Sequence, residues 1–183
     1  MIDIKVERLI ESNISELHNF FQVTLLDTFK REVDSGYEED VKEEVETKMK
    51  YLKEDLDSNG ELCHFILAKL NNKIIGTVCY RPYDNLITKC SNGKYKDEGA
   101  VGTVYILPEY QNMGVGSKLM HAILDYIKSI NIETFCLDSG FKIAQKFWIK
   151  KLGEPQLIVK DFWDIGYDHY IWRVEVKKVI NNF

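Results

Sequence analysis

A single mixed α/β domain is the fold class that this 183-residue sequence predicts, and three observations carry it. Two β-rich runs meet across Asn71-Asn72-Lys73 as a hairpin does, residues 100–137 read in turn as strand, amphipathic helix and strand, and no repeat or linker divides the chain. A chain of this length suits one core over residues 1–183. Hairpins early and a crossover later require a mixed sheet, because parallel neighbours need the long connection that a helix supplies.

Residues 2–10 alternate as a strand, and Ser12-x-x-Ser15 then precedes Ile14, Leu17, Phe20, Phe21, Leu25 and Phe29 at helical spacing. Past Ser35-Gly36, a second helix places Val41, Val45, Met49, Leu52 and Leu56 on one face and ends near Ser58-Asn59-Gly60. Residues 63–70 and 74–80 are antiparallel neighbours, since Asn tolerates the positive φ of a tight turn. Residues 81–98 are polar with little periodicity, a long connection of the kind that is often mobile or functional. Residues 100–107 form a buried strand, and Val115, Leu119, Ala122, Ile123, Tyr126 and Ile127 form a helix stripe. Residues 134–137 return as a strand, 142–152 as a helix stopped by Gly153 and Pro155, and 156–160 as another strand. The closing strand, 169–176, puts Tyr170, Trp172, Val174 and Val176 on one face.

Charge and composition exclude several function classes. With 24 Lys plus Arg against 29 Asp plus Glu the net charge is −5, which disfavours nucleic acid as a partner, since a phosphate-backbone binder needs a basic face. No apolar run nears the roughly 18 residues of a membrane span, and residues 1–7 lack a signal-peptide core, so the expectation is a soluble cytoplasmic protein with no membrane partner. Cys63, Cys79, Cys90 and Cys136 are scattered free thiols with no C-x-x-C pair, and His18, His64, His121 and His169 lack the i, i+4 spacing of helical ligands. No metal is expected.

The stretch that carries chemistry runs from Val104 through Ile106, Leu107, Pro108, Glu109 and Tyr110 to Gln111, Asn112, Met113, Gly114, Val115, Gly116 and Ser117. It reads as a strand, a proline-marked turn, a two-glycine loop and a helix. Gly114 and Gly116 remove side chains where a ligand would approach, and the unpaired N–H groups and dipole of the helix start favour a phosphate. The plainer reading is that glycine merely permits a tight turn. A Walker A loop is disfavoured, since the order is Gly116-Ser117-Lys118 and Gln111 stands in place of its first glycine. A dinucleotide fingerprint would need a glycine at Leu119.

These residues resemble the GNAT superfamily of acyl-CoA-dependent N-acyltransferases, whose motif is a strand ending in a Val-x-Pro-like element, then Gln/Arg-x-x-Gly-x-Gly/Ala opening a helix. Ile106-Leu107-Pro108 and Gln111-Asn112-Met113-Gly114-Val115-Gly116 match its two parts. The resemblance implies a central mixed, mostly antiparallel sheet of about seven strands flanked by about four helices. It implies acetyl-CoA as co-substrate, with its pyrophosphate on residues 111–117 and its pantetheine along the main chain of Ile106 and Leu107. Residues 138–153 resemble the family's second cofactor helix, which adds Phe147 and Trp148 to the cofactor set. Here the sequence departs from the pattern: Phe141 replaces a frequent Asn, one extra residue precedes Leu152-Gly153, and Trp148 replaces the Tyr that protonates the departing thiolate in many relatives. An indole N–H is far too weak an acid for that task.

The implied reaction is direct attack of a neutral amine of a small molecule or peptide on the thioester, and the resemblance places a carboxylate base near the strand before the loop. Glu98 is the candidate, with a solvated loop carboxylate as its plainer reading; Tyr105 and His64 are weaker candidates. The acidic run at residues 38–46 either attracts a cationic amine or is a solvated helix face. The aromatic run at 162–167 reads as a loop that is either an acceptor wall or a plug or homodimer contact. A non-catalytic acyl-CoA-binding regulatory module is the alternative function that Trp148 and Phe141 keep open.

Overall fold

A computed structural model describes residues 3–183, so the expected start of the first strand at Ile2 lies outside the described residues. Seven strands, β1 (Lys5–Arg8), β2 (His64–Leu70), β3 (Lys73–Arg81), β4 (Ala100–Ile106), β5 (Thr134–Ser139), β6 (Leu157–Asp164) and β7 (Tyr167–Glu175), form one sheet in the order β1-β2-β3-β4-β5-β7-β6, and the chain divides into two compact units. Of the described residues, the first comprises 3–80 and 103–123, the second 81–102 and 124–183.

In the first unit β1 (Lys5–Arg8) leads through a short 3-10 turn (Glu11–Asn13) into α1 (Ile14–Glu32). Asn13 holds the N-cap position of α1 without a side-chain bond to the helix; its buried carboxamide oxygen instead accepts the Ile10 N–H at 3.1 Å and fixes the short turn before it. Leu17, Phe20, Phe21, Leu25 and Phe29 of α1 are buried, as are Val41, Val45 and Leu52 of α2 (Glu38–Asp57), each set at helical spacing. β2 (His64–Leu70) and β3 (Lys73–Arg81) pair antiparallel, with Asn71 and Asn72 both at positive φ, 51° and 65°, as a two-residue hairpin turn requires. The later part of β4 (Ala100–Ile106) and the start of α4 (Val115–Ser129) complete the unit. At Gly76 an added methyl would lie 2.9 Å from Leu119 Cδ1 and 3.0 Å from Val115 Cγ1, so the glycine lets α4 rest directly on β3.

One carboxylate ties α2 to the strands. Asp55, 1 % exposed, accepts both Arg8 Nη atoms at 2.7 Å and the Phe65 N–H at 2.5 Å. His64 lies beside this cluster, and burial, then the Arg8 charge, pushes its pKa down to about 4.

In the second unit residues 81–98 are not a structureless connection. Asp84 accepts the Ile87 N–H at 2.9 Å and starts α3 (Asn85–Cys90), which buries Ile87 against Tyr95, Ala100, Cys136 and Ile171. β5 (Thr134–Ser139) pairs antiparallel with β7 (Tyr167–Glu175) and parallel with β4, where Ala100 stands opposite Cys136. α5 (Lys142–Leu152) and β6 (Leu157–Asp164) precede β7, and a one-turn α6 (Val176–Val179), unforeseen from sequence, follows it. The expected aromatic loop at 162–167 is instead the end of β6, a two-residue turn at Ile165-Gly166 and the start of β7. A bulge lies between Val159 and Asp164, with Asp161 at φ 49°.

The His64 environment predicts a pH effect. An unfolded His protonates near 6.5, whereas the folded His64 resists protonation down to about 4. Lowering the pH through that window therefore favours unfolding, and the loss levels off below it. His64→Gln should flatten the stability-against-pH curve between pH 6.5 and 4 in urea titrations; parallel curves for the two proteins would contradict the assignment.

Candidate functional site

The loop after β4 is built by local rules. The Leu107 N–H donates to the Ile75 carbonyl at 3.0 Å, Pro108 opens a 3-10 turn (Pro108–Tyr110), and the Gln111 N–H donates to the Pro108 carbonyl at 3.3 Å. Asn112 and Gly114, on either side of Met113, then take φ of 61° and 82°, the left-handed conformation that Asn and Gly tolerate best. The first bond of α4 runs from the Lys118 N–H to the Gly114 carbonyl at 3.1 Å, which leaves the N–H groups of Val115, Gly116 and Ser117 without intrahelical acceptors. A Cβ at Gly116 would sit 3.1 Å from Ile106 Cδ1, so the helix start packs on the strand end. The result is a run of amides at a positive dipole end, a geometry suited to a phosphate.

Side-chain contacts hold the loop to its unit, beginning with Lys73 of β3, which pairs with Glu109 at 3.2 Å and lies 5.3 Å from the Tyr110 ring centroid. Gln111 Nε2 donates to the Ile106 carbonyl at 3.3 Å, and Gln111 Oε1 accepts from Arg31 Nη1 at 3.3 Å. Arg31, on α1, also pairs with Asp27 at 2.7 Å. The sequence gives no sign of Arg31, which stands 80 residues from the motif, yet its half-exposed guanidinium places a fixed positive charge on Gln111. On the expected cofactor set the main chain is thus partly committed: the amides of Gln111 and Leu107 already have carbonyl partners. By strand alternation the Ile106 amide faces away from β3.

Within β4, Thr103 has φ 52°, a costly conformation for a β-branched residue, worth on the order of 1–3 kcal/mol. β3 enforces it: Thr77 Oγ1 donates to the Thr103 carbonyl at 2.8 Å, and Cys79 Sγ lies 3.4 Å from Thr103 Oγ1. Two residues on, Tyr105 meets Phe21 edge to face at 6.1 Å. On α2, Glu38, Glu39, Asp40, Glu43 and Glu46 point to solvent, while Glu44 holds Lys48 at 2.7 Å. Burial opposes the Lys48 charge, but Tyr105 and Glu44 outweigh it and raise the pKa.

In the second unit Glu98 is half-buried and fully engaged. Its Oε1 accepts from Arg173 Nε at 2.6 Å and its Oε2 from Thr134 Oγ1 at 2.7 Å. On α5, Phe147 is 43 % exposed, whereas Trp148 is buried between Phe147, at 4.9 Å, and Phe183, at 6.3 Å. Among the described residues no group of three or more His, Cys, Asp or Glu is placed to hold a metal, and no helix is long and apolar enough to cross a membrane.

Comparison with known proteins adds to this geometry. The model of the acetyltransferase (GNAT) family matches residues 26–153. No curated protein sequence matches significantly. Among solved structures, a protein of the GNAT family from Desulfovibrio desulfuricans is 15 % identical and aligns over 95 % of this chain and 99 % of its own with a TM-score of 0.70. The PaiA N-acetyltransferase from Thermoplasma acidophilum, in complex with coenzyme A, is 16 % identical over 94 % and 99 %, with a TM-score of 0.68. A spermidine N-acetyltransferase chimera from Vibrio cholerae and hSSAT is 14 % identical over 97 % and 98 %, with a TM-score of 0.63. At such identities the likeness establishes the fold.

Glu98→Gln keeps the shape of the side chain and removes its charge. With both oxygens engaged, the change should lower stability by about 1 kcal/mol, read from the urea midpoint. An unmoved midpoint would show that the contacts with Arg173 and Thr134 carry no stability.

Proposed function

The chain belongs to the acetyltransferase (GNAT) family, and from that premise we propose that it moves the acetyl group of acetyl-CoA to a primary amine of a small molecule or peptide by direct attack. The observation that carries the proposal is the amide run at Val115, Gly116 and Ser117, delivered by the left-handed Asn112 and Gly114 with Arg31 alongside. Those amides suit a pyrophosphate, and the guanidinium adds an opposite charge. The Ile106 main chain, directed away from β3, offers the pantetheine a strand-like partner, which Leu107 cannot offer through an amide already donated to Ile75.

When bound, acetyl-CoA supplies a thioester carbonyl for the attack. The amine nitrogen forms the new N–C bond as the C–S bond breaks, and the proton lost by the amine is taken up by a base. We retain Glu98 for that role on the family resemblance, with the two hydrogen bonds that it accepts fixing its orientation. Trp148 serves as packing rather than as an acid, in keeping with its burial against Phe147 and Phe183. A thiol pKa of about 8.5 lets the thiolate leave near neutral pH without a dedicated acid. We place the reaction in the cytoplasm, where the thiols of Cys63, Cys79, Cys90 and Cys136 would stay reduced.

Gly116→Val tests the cradle. A Cβ at this position meets only the flexible end of Ile106, so the protein should stay folded while its acetyl-CoA affinity, measured by calorimetry, falls at least tenfold. Gly114 is a poorer probe because its φ of 82° would strain any other residue. Wild-type affinity in a folded Gly116→Val protein would remove the main support for the proposal.

A further inference from the structure

The second unit contains a row of three side chains, Trp163, His169 and Asp138, that the transfer chemistry above does not use. Trp163 Nε1 lies 3.1 Å from His169 Nδ1. An indole nitrogen can only donate, so Nδ1 is the acceptor and, in the neutral ring, the imidazole proton sits on Nε2. His169 is 1 % exposed, and its Nε2 stands 3.0 Å from Asp138 Oδ2, out of line for a full hydrogen bond. The buried N–H therefore attracts the carboxylate without consuming it, and Asp138, 21 % exposed at its side chain, keeps open lone pairs.

The bulge in β6 serves this arrangement. Consecutive strand residues point to opposite faces, yet Phe162 and Trp163 both contact His169, with ring centroids 5.3 Å and 5.6 Å away. The irregular turn that permits this is pinned by Asp161, whose N–H donates to Asp168 Oδ1 at 3.0 Å and whose Oδ1 accepts the Gly166 N–H at 2.6 Å. Gly140 leaves room for the indole, since any side chain there would collide with it. Trp163 is consequently rigid yet 55 % exposed, an unusual state for a residue this costly to leave in water. The lysine of this hairpin, Lys160, pairs at 2.6 Å with Asp168, which by alternation along β7 faces away from His169. The two thiols on which the Asp138 charge acts, Cys90 and Cys136, both have pKa values raised chiefly by burial, so they stay neutral and offer the carboxylate no counter-charge.

We propose that Asp138 binds the ammonium group of the acceptor amine and that Trp163 stacks on a flat or aromatic group which that amine carries, an assignment that rests on the acetyltransferase reading. The carboxylate and the indole stand one imidazole apart, which suits a short spacer between ammonium and ring. Asp138 and Trp163 touch the ligand; His169 is the positioning residue that sets the carboxylate.

Titration of 2-phenylethylamine into the full-length protein at pH 7, alone and saturated with CoA, tests this by calorimetry. Binding is expected in at least one arm, at least tenfold weaker for neutral 2-phenylethanol and for Asp138→Asn, and weakened severalfold by Trp163→Ala. Equal binding of amine and alcohol in the wild-type protein, unchanged binding in Asp138→Asn, or no amine binding in either arm would overturn the proposal. Acetyl-CoA titrated into the same wild-type sample separates the two readings. If it binds while the amine does not, only the Asp138 site fails; if it does not bind, the transferase reading fails whatever the amine does.

Discussion

Helix α4 can offer free amides beside the end of β4 because nothing stands between it and β3. At Gly76 a methyl group would also lie 3.3 Å from the Tyr105 carbonyl, so strand, neighbouring strand and helix converge on a point with space for hydrogen alone. Val115 and Leu119, both fully buried, fill that space from the helix side. With the first turn of α4 seated in this way, the amides of Val115, Gly116 and Ser117 emerge at a fixed place, and the loop needs only two left-handed residues, Asn112 and Gly114, to reach it from β4. Gln111 closes the arrangement by bridging the Ile106 carbonyl and Arg31.

How much of this the sequence reveals depends on how local each cause is. Pro108, Gly114 and the Val115–Leu119 stripe act within a few residues, and so does the Asn71-Asn72 turn, whose two positive φ values follow from residue type. The strand–loop–helix motif and the hairpin are therefore legible. Arg31 is not, since its place beside Gln111 is set by the packing of α1. Nor is the left-handed Thr103, for a β-branched residue adopts it only under the contacts from Thr77 and Cys79. Helix α3 hides because its one buried residue, Ile87, sits among polar neighbours; the Asp84 cap is the one local signal. The bulge at Asp161 conceals the end of β6 in the same way, by breaking the alternation that marks a strand.

The carboxylates of the chain divide by what the fold asks of them. Asp55 is held by Arg8 and the Phe65 amide, Asp84 by Arg81 and the Ile87 amide, and Glu98, whose proposed role as base needs a fixed orientation, by Arg173 and Thr134. Each of the three joins segments far apart in sequence or starts a helix, and charge-assisted hydrogen bonds make them strong ties. Asp138 differs. Its one partner among the described residues is a buried imidazole whose proton is directed by an indole, so the charge is steadied and still available.

Turnover is the most direct test of the account. Acetyl-CoA and a panel of primary amines, incubated with the purified protein, should give steady-state release of CoA thiol that depends on the amine and is matched by an N-acetylated product in mass spectrometry. Tight acetyl-CoA binding with no amine-dependent thiol release from any member of the panel would contradict it, and would leave the Gly114–Gly116 loop as the cofactor site of a non-catalytic binding module.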